Sequence, residues 1–117
     1  MNATVDALKS SLTQLAETYG KPVYIAETDW PTKCSDHCLS ASLPVSAEDQ
    51  RQWVAAILGV LESFPRKSGG GIFYWEPSLL RMPNLLSPCE FALIFDVHLK
   101  PWPTTYATAL PSVNMFV

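Results

Sequence analysis

Apolar residues recur along this chain with two different periods, and the changes of period divide it into elements. Val5, Leu8, Leu12, Leu15, Ala16 and Tyr19 fall at helical spacing on one stripe, and Asp6 near the start suits the positive end of the helix dipole. Gly20 followed by Lys21-Pro22 stops that pattern. Val23-Tyr24-Ile25-Ala26 is then a short continuous apolar run rich in β-formers, as expected of a strand buried on both faces, and Glu27 ends it. A long connection from Thr28 to Val45 follows, with Trp30-Pro31, two cysteines and Pro44, longer than usual between a strand and a helix and so of the kind that carries function.

Ser46-Ala47-Glu48-Asp49 resembles a capping box, and Trp53, Val54, Ile57, Leu58, Leu61 and Phe64 continue a helical stripe until Pro65. Ser68-Gly69-Gly70-Gly71 is read as a flexible return. Ile72-Phe73-Tyr74-Trp75 is a second buried-strand run, again closed by a carboxylate, Glu76. Beyond Pro77 the pattern is irregular and predicts a short strand around Ala92 to Phe95 and a helix around Thr105 to Leu110. Helix, strand, long loop, repeated, is the grammar of an α/β parallel sheet, whose functional side chains sit at the C-terminal strand ends. Two strands and two helices cannot bury both strand faces, so the pattern predicts an incomplete sheet with exposed edges that favour association.

Composition narrows the functions. The 117 residues, 48% of them hydrophobic, suit one domain over 1–117. A net charge of -3, with 16% charged residues and no long single-sign run, argues against nucleic acid and anionic membranes as partners. No apolar stretch approaches the roughly 20 residues of a membrane span, and the N-terminus reads as an amphipathic helix without a signal-peptide core. Cys34, Cys38 and Cys89 lack metal-ligand spacing, so no metal or cofactor is expected; one disulfide with a spare thiol, or three reduced thiols, are the arrangements open. Ten prolines and four tryptophans cluster in loops, as on an elaborated scaffold that is itself largely absent.

Two strand-end carboxylates beside tryptophan suit sugar cleavage. Retaining glycoside hydrolysis needs a nucleophilic carboxylate and an acid about 5 to 5.5 Å apart, and neighbouring strands lie about 4.8 Å apart. Spacing therefore allows Glu27 and Glu76 as that pair. By itself a strand-end glutamate is more often a solvated charge. His37, His98 and Arg81 read as solvated loop residues, Trp53 as core, and Trp102 as either a subsite wall or a cover.

The phrases Ile25-Ala26-Glu27-Thr28-Asp29-Trp30-Pro31 and Gly71-Ile72-Phe73-Tyr74-Trp75-Glu76-Pro77, in that order, resemble glycoside hydrolase family 53, the arabinogalactan endo-β-1,4-galactanases, and most closely its fungal members. Phe95-Asp96 and the segment Ala109 to Phe116 are similar to the family's last strand and final helix. The resemblance implies the C-terminal portion of a (β/α)8 TIM barrel, with strands seven and eight, acting on β-1,4-galactan outside the cell by a retaining mechanism. It assigns Glu27 as nucleophile, Trp75 to stacking on the sugar and Glu76 to sugar contact or its support; Asp29 and Trp30 are expected as rim contacts because they directly follow the nucleophile. It places the general acid after an asparagine on strand four, and no Asn-Glu dipeptide occurs here, so the acid would come from a missing N-terminal barrel portion. The resemblance further implies a Cys34–Cys89 bridge, with Cys38–Cys89 as the alternative. Two other readings stand beside it: a catalytically inactive truncated barrel or carbohydrate-binding remnant, and a β-1,3-glucanase piece of family 17, whose members carry a phrase similar to the first motif.

Overall fold

The computed structural model describes residues 4–34, 39, 41, 43–75, 89, 92–98, 100–101, 104 and 106–117. Helix α1, Val5–Tyr19, starts at Thr4, whose hydroxyl accepts the Ala7 N–H at 3.2 Å, and ends at Gly20 in the left-handed conformation. Its inner face is Ala16 together with Val5, Leu8 and Leu12; Leu15 and Tyr19, expected on the same stripe, are exposed. Strand β1, Val23–Thr28, pairs in parallel with β2, Gly69–Tyr74. Helix α2, Ala47–Glu62, begins at Ser46, whose hydroxyl accepts the Asp49 N–H and donates to the Asp49 carboxylate. The capping pattern and the apolar stripe thus placed α2 correctly.

The glycine run departs from the expected flexible return, since Gly69, Gly70 and Gly71 belong to β2. Close approach explains it: a Cβ on Gly69 would fall on the carbonyl of Leu61 in α2, and one on Gly70 would fall inside the Tyr24 ring. These glycines let the strand lie against a helix on one side and an aromatic ring on the other.

Both helices cover one face of the β1–β2 sheet. Val23, Ile25 and Ile72 pack there against Ala16, Val60, Leu61 and Phe64, and Ile25 and Ile72 also reach the cluster of Trp30, Trp53 and Ile57. Among the described residues nothing buries the other face, where Tyr24 is 58% and Phe73 is 63% exposed. The expectation of strands buried on both faces is therefore met on one face only.

Two C-terminal expectations are corrected. Strand β3, Phe95–His98, starts where the expected strand ended, and Tyr106–Ala109 forms strand β4, antiparallel to it, instead of a helix. Pairing decides this: β4 has no apolar stripe to bury as a helix, whereas each of its residues finds a partner from Phe95 to His98. The implied final helix is a short 3-10 turn, Pro111–Asn114, which packs against α2 and has Ser112 buried. His98 is exposed, as expected, but lies on β3, stacked on Tyr106.

Candidate active site at the C-terminal ends of the parallel strands

Strand register puts Glu27 on the open face. Ile25 pairs with Ile72 and Thr28 with Tyr74, so Ala26 and Glu27 together oppose the single residue Phe73, which is a β-bulge in β1. In a regular strand Glu27 would share the helix-facing side with Ile25. The extra residue shifts the alternation: Thr28 takes the helix-facing side, where its hydroxyl accepts the Trp53 indole N–H at 2.8 Å, and Glu27 is exposed. Beyond the bulge the strands remain joined, because the Trp75 N–H donates to the Thr28 carbonyl at 2.8 Å. Glu27 and Trp75 thus stand at the same end of neighbouring strands, and Trp75 is half-buried.

The other expected site residues fall differently. Asp29 is half-buried just past Thr28, and its charge acts on the Tyr74 hydroxyl. Trp30, expected at the rim, is a core residue, only 1% exposed, tilted against Trp53 at 4.8 Å with its indole N–H on the Pro44 carbonyl at 2.9 Å. An indole enclosed on all sides has no face to offer a sugar, so the rim assignment of Trp30 is corrected. Trp53 is core, as expected. Glu76, His37, Cys38, Arg81 and Trp102 lie outside the described residues. Cys34 and Cys89 form the bridge that the resemblance implied, joining the connection after β1 to the one after β2.

Two residues near the site were not singled out from sequence. Gln50, in the first turn of α2, is fully buried, and its amide donates to the Trp30 carbonyl at 2.8 Å and the Leu93 carbonyl at 2.9 Å. Tyr74 accepts the Trp30 N–H at 3.2 Å and donates to the Ala92 carbonyl at 2.7 Å. Burial pushes the Tyr74 hydroxyl up to about 12, against the lowering effect of its hydrogen bond with the Trp30 backbone. The signal for Gln50 was its position three residues before Trp53 and four before Val54, a polar residue on the buried stripe of a helix.

Among the described residues no group of His, Cys, Asp and Glu is placed to hold a metal ion, and no helix is long and apolar enough to cross a membrane. Fold and site together define an α/β protein with its candidate chemistry at the C-terminal ends of parallel strands. Comparison with known proteins sharpens this. Residues 1–109 match Glycosyl hydrolase family 53, and the chain belongs to that family. It is 39% identical to arabinogalactan endo-β-1,4-galactanase A of Emericella nidulans over 81% of this chain and 28% of that protein. With the arabinogalactan endo-β-1,4-galactanase of Humicola insolens the identity is 32%, over 98% of this chain and 33% of the other. A solved structure of a fungal β-1,4-galactanase superposes with a TM-score of 0.75 at 32% identity, covering 96% of this chain and 32% of that one. The chain spans about a third of the length of these relatives.

Proposed function

We propose that this chain supplies the C-terminal part of a retaining glycosidase acting on β-1,4-galactan outside the cell, with β1 and β2 as barrel strands seven and eight. The observation that carries the reading is the β1 bulge, which turns Glu27 to the open face at the end where parallel strands present their chemistry. Glu27 attacks the anomeric carbon; the glycosidic carbon–oxygen bond breaks, and the leaving oxygen takes a proton from an acid outside this chain. Water, giving its proton to the same outside group now acting as base, then attacks the anomeric carbon from the face the leaving group vacated, opposite Glu27. The ester bond breaks, the carboxylate is restored, and two inversions retain the configuration. Trp75 stacks on the sugar. Asp29 and Glu76 hydrogen-bond its hydroxyls. The open sheet face and outer strand edges receive the remaining barrel or a second copy.

A test of Glu27 need not depend on the missing acid. A 2,4-dinitrophenyl 2-deoxy-2-fluoro-β-galactobioside carries a leaving group that departs without protonation, and the fluorine slows hydrolysis of the covalent intermediate. The expected result is one adduct per chain, mapped to Glu27 by peptide mass spectrometry and absent in Glu27→Gln. A folded chain that forms no adduct, or forms it on another carboxylate, would sink the assignment.

One observation favours a second reading, of a chain inactive on polymer by itself: the sequence contains no Asn-Glu dipeptide and hence no counterpart of the family's acid. Reducing-sugar release from galactan separates the two. Labelling at Glu27 without release supports an incomplete site, whereas Glu27-dependent release requires an acid within these residues, Glu76 being the first candidate. Membership of family 53 removes the family 17 alternative.

A further inference from the structure

Three segments that border the site meet at one buried amide. The Gln50 Nε2 faces the carbonyls of Trp30 at 2.8 Å, Leu93 at 2.9 Å and Ala92 at 3.3 Å, and the Tyr74 hydroxyl at 3.3 Å. With two hydrogens to give, it donates to the two nearest, Trp30 and Leu93. The Tyr74 hydroxyl adds a second tie, accepting from the Trp30 N–H and donating to the Ala92 carbonyl. Trp30 follows Glu27 by three residues, Tyr74 directly precedes Trp75, and Ala92 and Leu93 lead into β3. Helix α2 therefore holds the loop leaving β1 and the approach to β3 through the Gln50 amide, and the end of β2 joins the same two segments through the Tyr74 hydroxyl.

Shape alone does not require glutamine here. An apolar side chain of similar size fills the volume but takes the nearest donor from the buried Trp30 carbonyl, leaving it only the Tyr74 hydroxyl at 3.1 Å, and removes the Gln50 donor from the part-buried Leu93 carbonyl. Gln50 is 0% exposed, so solvent cannot substitute. All four neighbours of its nitrogen are oxygens, which fixes the amide orientation.

We propose that Gln50, together with Tyr74, is a positioning residue that fixes Glu27 relative to Trp75 by clamping the loop after β1 to the end of β2. The proposal rests on Glu27 acting as the nucleophile, and its test has one arm that does not.

Gln50→Met and Tyr74→Phe keep the shape while removing the donors. In the chemical arm, the maximal rate of Glu27 labelling by the fluoro-galactobioside falls about tenfold or more, while the half-saturating concentration moves less than about twofold. In the second arm, hydrogen exchange at the Trp30 and Trp75 amides speeds up about tenfold, while the Val60 and Leu61 amides keep their protection. Unchanged labelling with unchanged exchange overturns the clamp. So does a uniform rise in exchange across α2 and both strands, which marks general destabilisation. If the unmutated chain is not labelled, the nucleophile assignment fails, and a local rise in exchange still establishes the clamp while its absence disproves it. Should Gln50→Met fail to fold, Tyr74→Phe, lacking one hydroxyl only, carries both arms.

Discussion

The Trp75 N–H reaches the Thr28 carbonyl at 2.8 Å, so β1 and β2 stay joined one residue past their paired register. Glu27 immediately precedes that carbonyl. The site carboxylate is therefore held by backbone on one side and by the Thr28–Trp53 hydrogen bond on the other, without a buried partner of its own being needed. Exposed and outside both core clusters, Glu27 has little packing to contribute to stability, and its proposed role is chemical. Glu27→Ala should leave unfolding within about 0.5 kcal/mol of the parent while abolishing the fluoro-sugar adduct. Paired urea titrations and mass spectra measure both.

Trp30 should behave in the opposite way. At 1% exposure and packed, tilted, against Trp53, Trp30 fills a volume whose truncation opens a large cavity, and Trp30→Ala should cost about 3–5 kcal/mol in chemical denaturation. Trp75→Ala, at a half-buried position, should cost clearly less in the same experiment and weaken binding of β-1,4-galacto-oligosaccharides. Equal stability losses for the two variants would contradict the separation of core indole from site indole.

The contrast between these tryptophans shows where sequence reading stops. The helical stripes, the capping box at Ser46 and the two strand runs ending in carboxylates were legible because periodicity and local caps act within a few residues. Trp30 was misread because its burial depends on Trp53 and Pro44, which reach it only after folding. The same limit applies to Tyr106–Ala109, whose strand exists through pairing with Phe95–His98, and to the β1 bulge, which is a property of two strands together. Glycines 69–71 read as a loop because a strand tolerates them only where another group approaches closely, here Leu61 and Tyr24.

That account makes the two close approaches separable by mutation. Gly69→Ala meets the Leu61 backbone, which cannot move without shifting α2, and should destabilise by about 1–3 kcal/mol or more. Gly70→Ala meets only the Tyr24 side chain, which is 58% exposed. The double variant Gly70→Ala with Tyr24→Ala should recover most of the Gly70→Ala loss, a coupling readable from a double-mutant cycle by urea denaturation. Additive losses would show that Tyr24 is not the obstacle.

Alkaline pH offers a probe of the polar centre around Gln50. The folded Tyr74 hydroxyl sits at about 12, chiefly through burial, with the Asp29 charge adding to the shift, whereas an unfolded tyrosine titrates near 10. Between these values the unfolded chain has released a proton that the folded chain retains, so stability falls as pH rises. The Tyr74 contribution is fully present below about pH 10 and is lost as pH climbs through the folded value. Denaturation midpoints followed from pH 8 upward, at about half-unit steps, should fall more steeply for the parent than for Tyr74→Phe. Parallel slopes would mean that the hydroxyl is not shifted by its surroundings.

The Cys34–Cys89 bridge spans a sequence separation of 55 residues. By the loop-entropy argument, closing a loop of that size removes about 4 kcal/mol of freedom from the unfolded chain. Its ends lie in the connections after β1 and β2, so it also ties together the two loops beside Glu27 and Trp75. Reduction should lower the urea midpoint substantially, and Cys34→Ser should reproduce that shift in the oxidised protein. Cys38→Ser should leave the midpoint unchanged, because Cys89 already has its partner. The pairing Cys38–Cys89 reverses both results, so midpoints of the two variants, with non-reducing peptide maps, distinguish the arrangements without reference to activity.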